Sequence, residues 1–106
     1  MTFADFAKKF KLLSESEKNV LKVMTVYHEA LSQTDLVSLL RACEIRKDND
    51  RAYIPSDIRE LKKKLMNSGW LSINISSRLE CSSKYKEYLM RVAILDESFN
   101  FWLKFI

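Results

Sequence analysis

Glycine, proline and histidine are nearly missing from this chain: its 106 residues include one Gly, one Pro and one His. Hairpin-rich proteins draw on Gly and Pro at turn after turn, so the shortage excludes collagen-like, linker-like and many-turned all-β architectures. It favours a mostly helical chain. A single glycine also excludes a Gly-rich phosphate loop, and no His/Cys/carboxylate set has metal-ligand spacing. Cys43 and Cys81 lie far apart without a C-x-x-C spacing, so they read as buried thiols in a reducing compartment rather than a disulfide framework. No apolar stretch approaches the roughly 18 residues that span a membrane. Asp5, Lys8, Lys9 and Lys11 interrupt the place where a signal peptide carries its apolar run. The expected location is the cytoplasm, or the nucleus in a eukaryote.

What is present suits a folded globule. Hydrophobic residues make up 47% and charged residues 30%, which argues against wholesale disorder, and the length suits a single domain over 1–106. Lys and Arg number 18 against 14 Asp and Glu, for a net charge of +4. That surplus is local. Residues 56–91 carry eight basic and four acidic side chains, whereas residues 1–55 carry nine and eight. A basic segment suits an acidic partner such as nucleic acid.

Helical periodicity runs through most of the chain. Thr2 and Asp5 cap a first short helix whose Phe3, Phe6, Ala7, Phe10 and Leu13 share a face. Ser14 and Glu17 spell a second capping box; Val20, Val23, Met24, Tyr27 and Leu31 follow, predicting a helix over about 15–29. Ser32 caps a third helix over about 33–43, with Leu36, Leu39, Leu40 and Cys43 inward. Residues 44–53 are polar and read as a loop, with room for a small extra strand near Ala52 and Tyr53. Pro55 and Ser56 open a fourth helix, Ile58, Leu61 and Leu65 face inward, and Gly69 stops it. Residues 70–75 and 78–81 then alternate with period two about Ser76-Ser77, which predicts a short β-hairpin. From Ser83 one last helix is expected to run to the end.

Two stretches carry a family resemblance. Leu31-Ser32-Gln33-Thr34-Asp35-Leu36 opens the third helix. Asp57-Ile58-Arg59-Glu60-Leu61 leads through Leu65-Met66-Asn67-Ser68-Gly69-Trp70-Leu71 into the hairpin. Together with the order of elements, these residues resemble the winged helix-turn-helix between Leu31 and Cys81. The fold this implies is mostly α with a small β-hairpin, a winged-helix core over 14–82 flanked by extra helices at 2–13 and 83–106. The resemblance also implies that the helix from Ser56 to Ser68 reads double-stranded DNA.

On a wheel of 100° per residue, Ile54, Ile58, Leu61 and Leu65 fall within an arc of about 60° and define the buried side. Ser56, Arg59, Glu60, Lys63 and Asn67 occupy the opposite side, with Lys62 and Lys64 on the flanks. Arg59, Lys63 and Asn67 are spaced to meet base edges or phosphates along one line. Ser56 lies at the helix start, where backbone N–H groups hold phosphate. Arg78 at the hairpin tip and Lys84 beyond it are placed to reach the DNA backbone. The competing reading of Lys62-Lys63-Lys64 is a solvated helix face, and Asp57 and Glu60 dilute its field. Tyr53 and Trp70 read as packing groups rather than base-stacking platforms.

The last helix is apolar on two sides. Tyr85, Tyr88, Leu89, Val92, Phe99 and Leu103 line one, and Met90, Ile94, Phe101 and Phe105 line nearly the opposite one. The second stripe, together with Phe3, Phe6 and Phe10 of the first helix, is the expected dimer or partner interface. The three phenylalanines sit near Lys8, Lys9 and Lys11 as in a membrane-surface face, but so short a helix binds lipid weakly and packing is the favoured reading. His28 belongs to no nucleophile or carboxylate constellation, and Asp48-Asn49-Asp50 lacks the Gly and closing Glu of a calcium loop. No enzyme, metal, cofactor or small-molecule substrate is expected. The expected function is binding of double-stranded DNA, sequence-specific or general, as a dimeric transcriptional regulator. The alternative is a winged-helix module for protein–protein contact, as such or as the front domain of a larger protein.

Overall fold

The computed structural model describes residues 2–105. Its first three helices begin at the caps the sequence spells. The Asp5 N–H donates to Thr2 Oγ1 and the Thr2 N–H to the Asp5 carboxylate, starting α1 (Phe3–Lys11). The same reciprocal pair between Ser14 and Glu17 starts α2 (Glu15–Tyr27), and the Ser32 hydroxyl caps α3 (Gln33–Ala42). Then follow α4 (Pro55–Asn67), β1 (Leu71–Ile73), β2 (Leu79–Cys81), α5 (Ser83–Leu95) and α6 (Ser98–Trp102). The fold is mostly α: the described residues form six helices and one two-stranded antiparallel hairpin in which Leu71 faces Cys81 and Ile73 faces Leu79.

Helix α2 is the axis of the molecule. It packs against α3, α5, α6 and β2, which is why its polar Ser16, Lys22 and Thr25 are buried along with Val20, Leu21, Val23 and Met24. Leu31 joins the hairpin by a single bridge, its N–H and C=O pairing with Leu79 at 2.8 and 2.7 Å. The loop before α4 closes on itself through one Arg46–Ala52 bridge, so the extra strand is reduced to that bridge. Buried Ile45 and Tyr53 anchor its two ends. Tyr53 hydrogen-bonds Ser16, whose hydroxyl also donates to the Arg46 carbonyl at 2.7 Å. Cys43 and Cys81 are free and buried.

Three expectations are corrected. Ile54 is exposed, because it is the N-cap of α4 and lies before the helical phase begins. The last helix is not continuous: it breaks at Asp96 and Glu97, with Glu97 left-handed at φ 66°. The Asp96 carboxylate accepts from the Ser98 N–H at 3.0 Å and from Lys22 Nζ at 2.5 Å. These bonds turn the chain back onto α2, so helical phase is lost across the break. Trp102 becomes the buried residue at 4% exposure, and Leu103 points outward.

The phenylalanine face of α1 is the third correction. Phe6 is 1% exposed, within ring-contact distance of Phe3, Phe10, Trp70, Tyr85 and Tyr88. It belongs to the core and not to a partner surface. Phe10 is half-buried against the same core, and Phe3 lies on Tyr88 at 5.7 Å. Met90 is half-buried as well. Of the expected interface, Phe3, Ile94, Phe101 and Phe105 are exposed, the last three joined by Leu95 and Leu103.

Replacing Asp96 by Ala should leave the buried Lys22 ammonium without its carboxylate and loosen α6 from α2. Asp96 is partly open to water, so the expected loss is about 1–2 kcal/mol rather than that of a fully buried pair. Urea unfolding of the two proteins measures it; an unchanged midpoint would show that the pair does not hold α6.

Candidate nucleic-acid interface

Helix α4 is set in place at both ends. At its start the Asp57 carboxylate accepts from the Ile54 N–H at 3.0 Å and from Lys47 Nζ at 2.8 Å. The Lys47 ammonium and that N–H hold the Asp57 carboxyl below the usual carboxylate range. At its end Gly69 adopts φ 83°, a conformation in which a side chain is strained. The Trp70 N–H then bonds to the Leu65 carbonyl and the Gly69 N–H to that of Met66, closing a Schellman motif. Buried Ile58 and Leu65 and half-buried Leu61 fix the rotation of the helix, as the wheel requires.

That rotation exposes Ser56, Arg59, Glu60, Lys63 and Asn67. Arg59, Lys63 and Asn67 stand four residues apart, a rise of about 6 Å per step along one face. Among the described residues, Arg59, Lys62 and Lys63 make no ion pair. Their charge is therefore directed to solvent, with Lys62 half-buried on the flank.

The other expected contacts are engaged elsewhere. Arg78 lies 3.7 Å from Asp35 of α3, a pair open to water on both sides and so of little energetic weight. The hairpin tip itself is residues 75–77, where Ser77 takes φ 60° and Asn74 Oδ1 accepts from the Ser76 and Arg78 N–H groups. Lys84 sits in the first turn of α5 with its ammonium 5.0 Å from the Tyr85 ring. The start of α4 is occupied by its own Asp57 carboxylate, which argues against a phosphate seat at Ser56. Arg59, Lys63 and Asn67 thus come together, whereas Arg78 and Lys84 lie on separate elements.

Lys64 has a role that no spacing rule revealed. Its ammonium meets Glu17 Oε2 at 2.6 Å, while Glu17 Oε1 accepts from the Ser14 N–H at 2.9 Å. One carboxylate thereby caps α2 and ties it to α4. Burial alone would raise the Glu17 carboxyl, but Lys64 and the Ser14 N–H outweigh it and hold it below the ordinary range. The capping box made Glu17 visible in the sequence; its second oxygen found Lys64 only through the packing of two distant helices.

Among the described residues no group of three or more His, Cys, Asp or Glu could hold a metal ion, and no helix is long and apolar enough to cross a membrane. Comparison with family models, curated proteins and solved structures finds no match in any of the three.

The folded-state carboxyls of Glu17, Asp57 and Asp96 are all lowered. Groups shifted that way stabilise the fold above their unfolded pKa values and cease to do so as pH falls through the folded ones. Stability should be flat near neutrality and drop between about pH 5 and 3. Lys64→Met should flatten the drop. Urea midpoints across this range provide the check, and a midpoint that rises on acidification would refute the linkage.

Proposed function

We propose that this chain is a winged-helix protein that binds double-stranded DNA through the outward face of α4. The carrying observation is the exposed row Arg59, Lys63 and Asn67, with both cations free of ion pairs among the described residues. Support also comes from the order of elements. Helix α3 packs against α4, and α4 passes through Gly69 directly into an antiparallel hairpin. A helix that presents cations and an amide to solvent, braced from behind, suits a major groove, where cations meet phosphate or guanine and an amide pairs with adenine. The role inferred is binding rather than catalysis, in the cytoplasm or nucleus where DNA is met.

A dimer is the proposed assembly. Ile94, Leu95, Phe101, Leu103 and Phe105 are all exposed at the end of α5 and around α6, and the Phe101 and Phe105 rings meet at a tilt with centroids 5.5 Å apart. A second copy burying this surface would give a two-fold regulator. The same apolar surface favours the second reading, a module for protein–protein contact in which the basic face serves only solvation.

Titrating duplex DNA binding against salt discriminates these readings. Substituting Arg59 and Lys63 together by Ala should weaken binding about tenfold or more and reduce the salt slope by about 1–2, with the fold unchanged. Unaltered binding would sink the α4 assignment, and no binding by the parent protein at low salt would favour the protein-contact reading. Light scattering on the same sample should give twice the 12.5 kDa chain mass, falling to one chain for Phe101→Asp.

A further inference from the structure

A cavity of about 350 Å³ lies between the C-terminal end of α2, the turn into α3, strand β2 and helix α5. Ligand pockets start at roughly this size. Met24, Thr25, Cys81 and Met90 contribute to its wall, with Ala30 at the turn. None brings a charge. Burial pushes the Cys81 thiol up to about 11, so it is neutral at physiological pH. The Thr25 hydroxyl is spent on the Leu21 carbonyl at 3.0 Å.

The rim has the opposite character, with Glu29, Glu80 and Glu87 against Lys86, beside His28. Arg91 meets Glu87 at 3.4 Å, whereas among the described residues Glu29, Glu80 and Lys86 make no ion pair, so two carboxylates face one ammonium and the rim keeps a negative excess. Helix α2 ends here as well. It has no basic residue in its last turn, and His28, left-handed at φ 71°, donates its N–H to the Met24 carbonyl. The partial negative charge of that helix end therefore adds to the negative excess that Glu29 and Glu80 keep over Lys86.

We propose that this cavity is a binding site for a small amphiphilic cation, its apolar body against the methionines and its cationic group toward Glu29, Glu80 and the end of α2. Methionine side chains adapt to varied apolar shapes and attract aromatic rings, so a cation carrying an aromatic ring suits the wall best. An anion of the same size would meet the carboxylates and the helix end, and is disfavoured. An occupant would also touch β2, the strand that Leu31 and β1 pair with. The site stands independently of the DNA-binding reading, since none of its residues is on α4.

The test uses benzyltrimethylammonium and benzylsulfonate, probes of similar size and opposite charge, on the full chain carrying labelled methionine methyls. The cation should shift the Met24 and Met90 signals saturably and leave that of Met66 in place. It should bind at least about tenfold tighter than the anion. The double variant Glu29→Gln with Glu80→Gln should lose about tenfold in affinity for the cation. Equal binding of the two probes, cation binding unchanged in the variant, or no methionine shift with either probe would each overturn the proposal.

Discussion

The indole of Trp70 is held by rings that arrive from both ends of the chain, and the placement of α4 depends on that packing. Tyr85 of α5 lies 4.4 Å away, and Phe6 and Phe10 of α1 meet the indole edge-on at 5.9 and 6.1 Å. Lys9 closes the cluster. Its ammonium sits 5.2 Å from the indole centre and donates to the Ser68 carbonyl and to the Tyr85 hydroxyl. Trp70 follows the Schellman turn of α4 and precedes β1, so burying it fixes both the end of the basic helix and the start of the hairpin. Helix α1 serves this purpose. Its aromatic face closes the chain's own core, with Phe6 fully buried among the rings.

Lysine is used in two distinct ways. Lys9, Lys22 and Lys64 each satisfy a carbonyl, a hydroxyl or a carboxylate contributed by a distant element. Their long apolar stems let a cation cross a hydrophobic layer and reach such a partner. Lys63 and Arg59 have no such engagement among the described residues. Net charge conceals this division. The surplus in residues 56–91 bears on a partner only after Lys64 is assigned to Glu17, Arg78 to Asp35 and Arg91 to Glu87. What remains on α4 is a short row rather than a broad field, which suits local contact with DNA more than long-range steering.

Two surfaces of different kinds remain. One is the polar face of α4; the other is the apolar patch of Ile94, Leu95, Phe101, Leu103 and Phe105 left by the break before α6. An uninterrupted helix would have spread its outer residues along a stripe. Folding back instead covers Trp102 and leaves Phe101 and Leu103 on either side of it exposed. The cavity beside α2 belongs to the same axis: it lies where the C-terminal turn of α2 meets α5 and β2.

Features governed by local rules are legible from the residues alone. Capping boxes at Thr2 and Ser14, the cap at Ser32, Pro55 and Gly69 at the ends of α4, and the change from helical to two-residue period all act within a few residues. The rotation of α4 was legible for the same reason, since Ile58, Leu61 and Leu65 define an inward side wherever the helix packs. Tertiary structure alone decided which lysines are spent internally, that Phe6 is core and that α6 folds back through Lys22 and Asp96. Those outcomes join residues dozens of positions apart, and no periodicity encodes a partner at that distance. A charge run or an apolar stripe states what a side chain can do; only the packing of the other elements states what is left for it to meet.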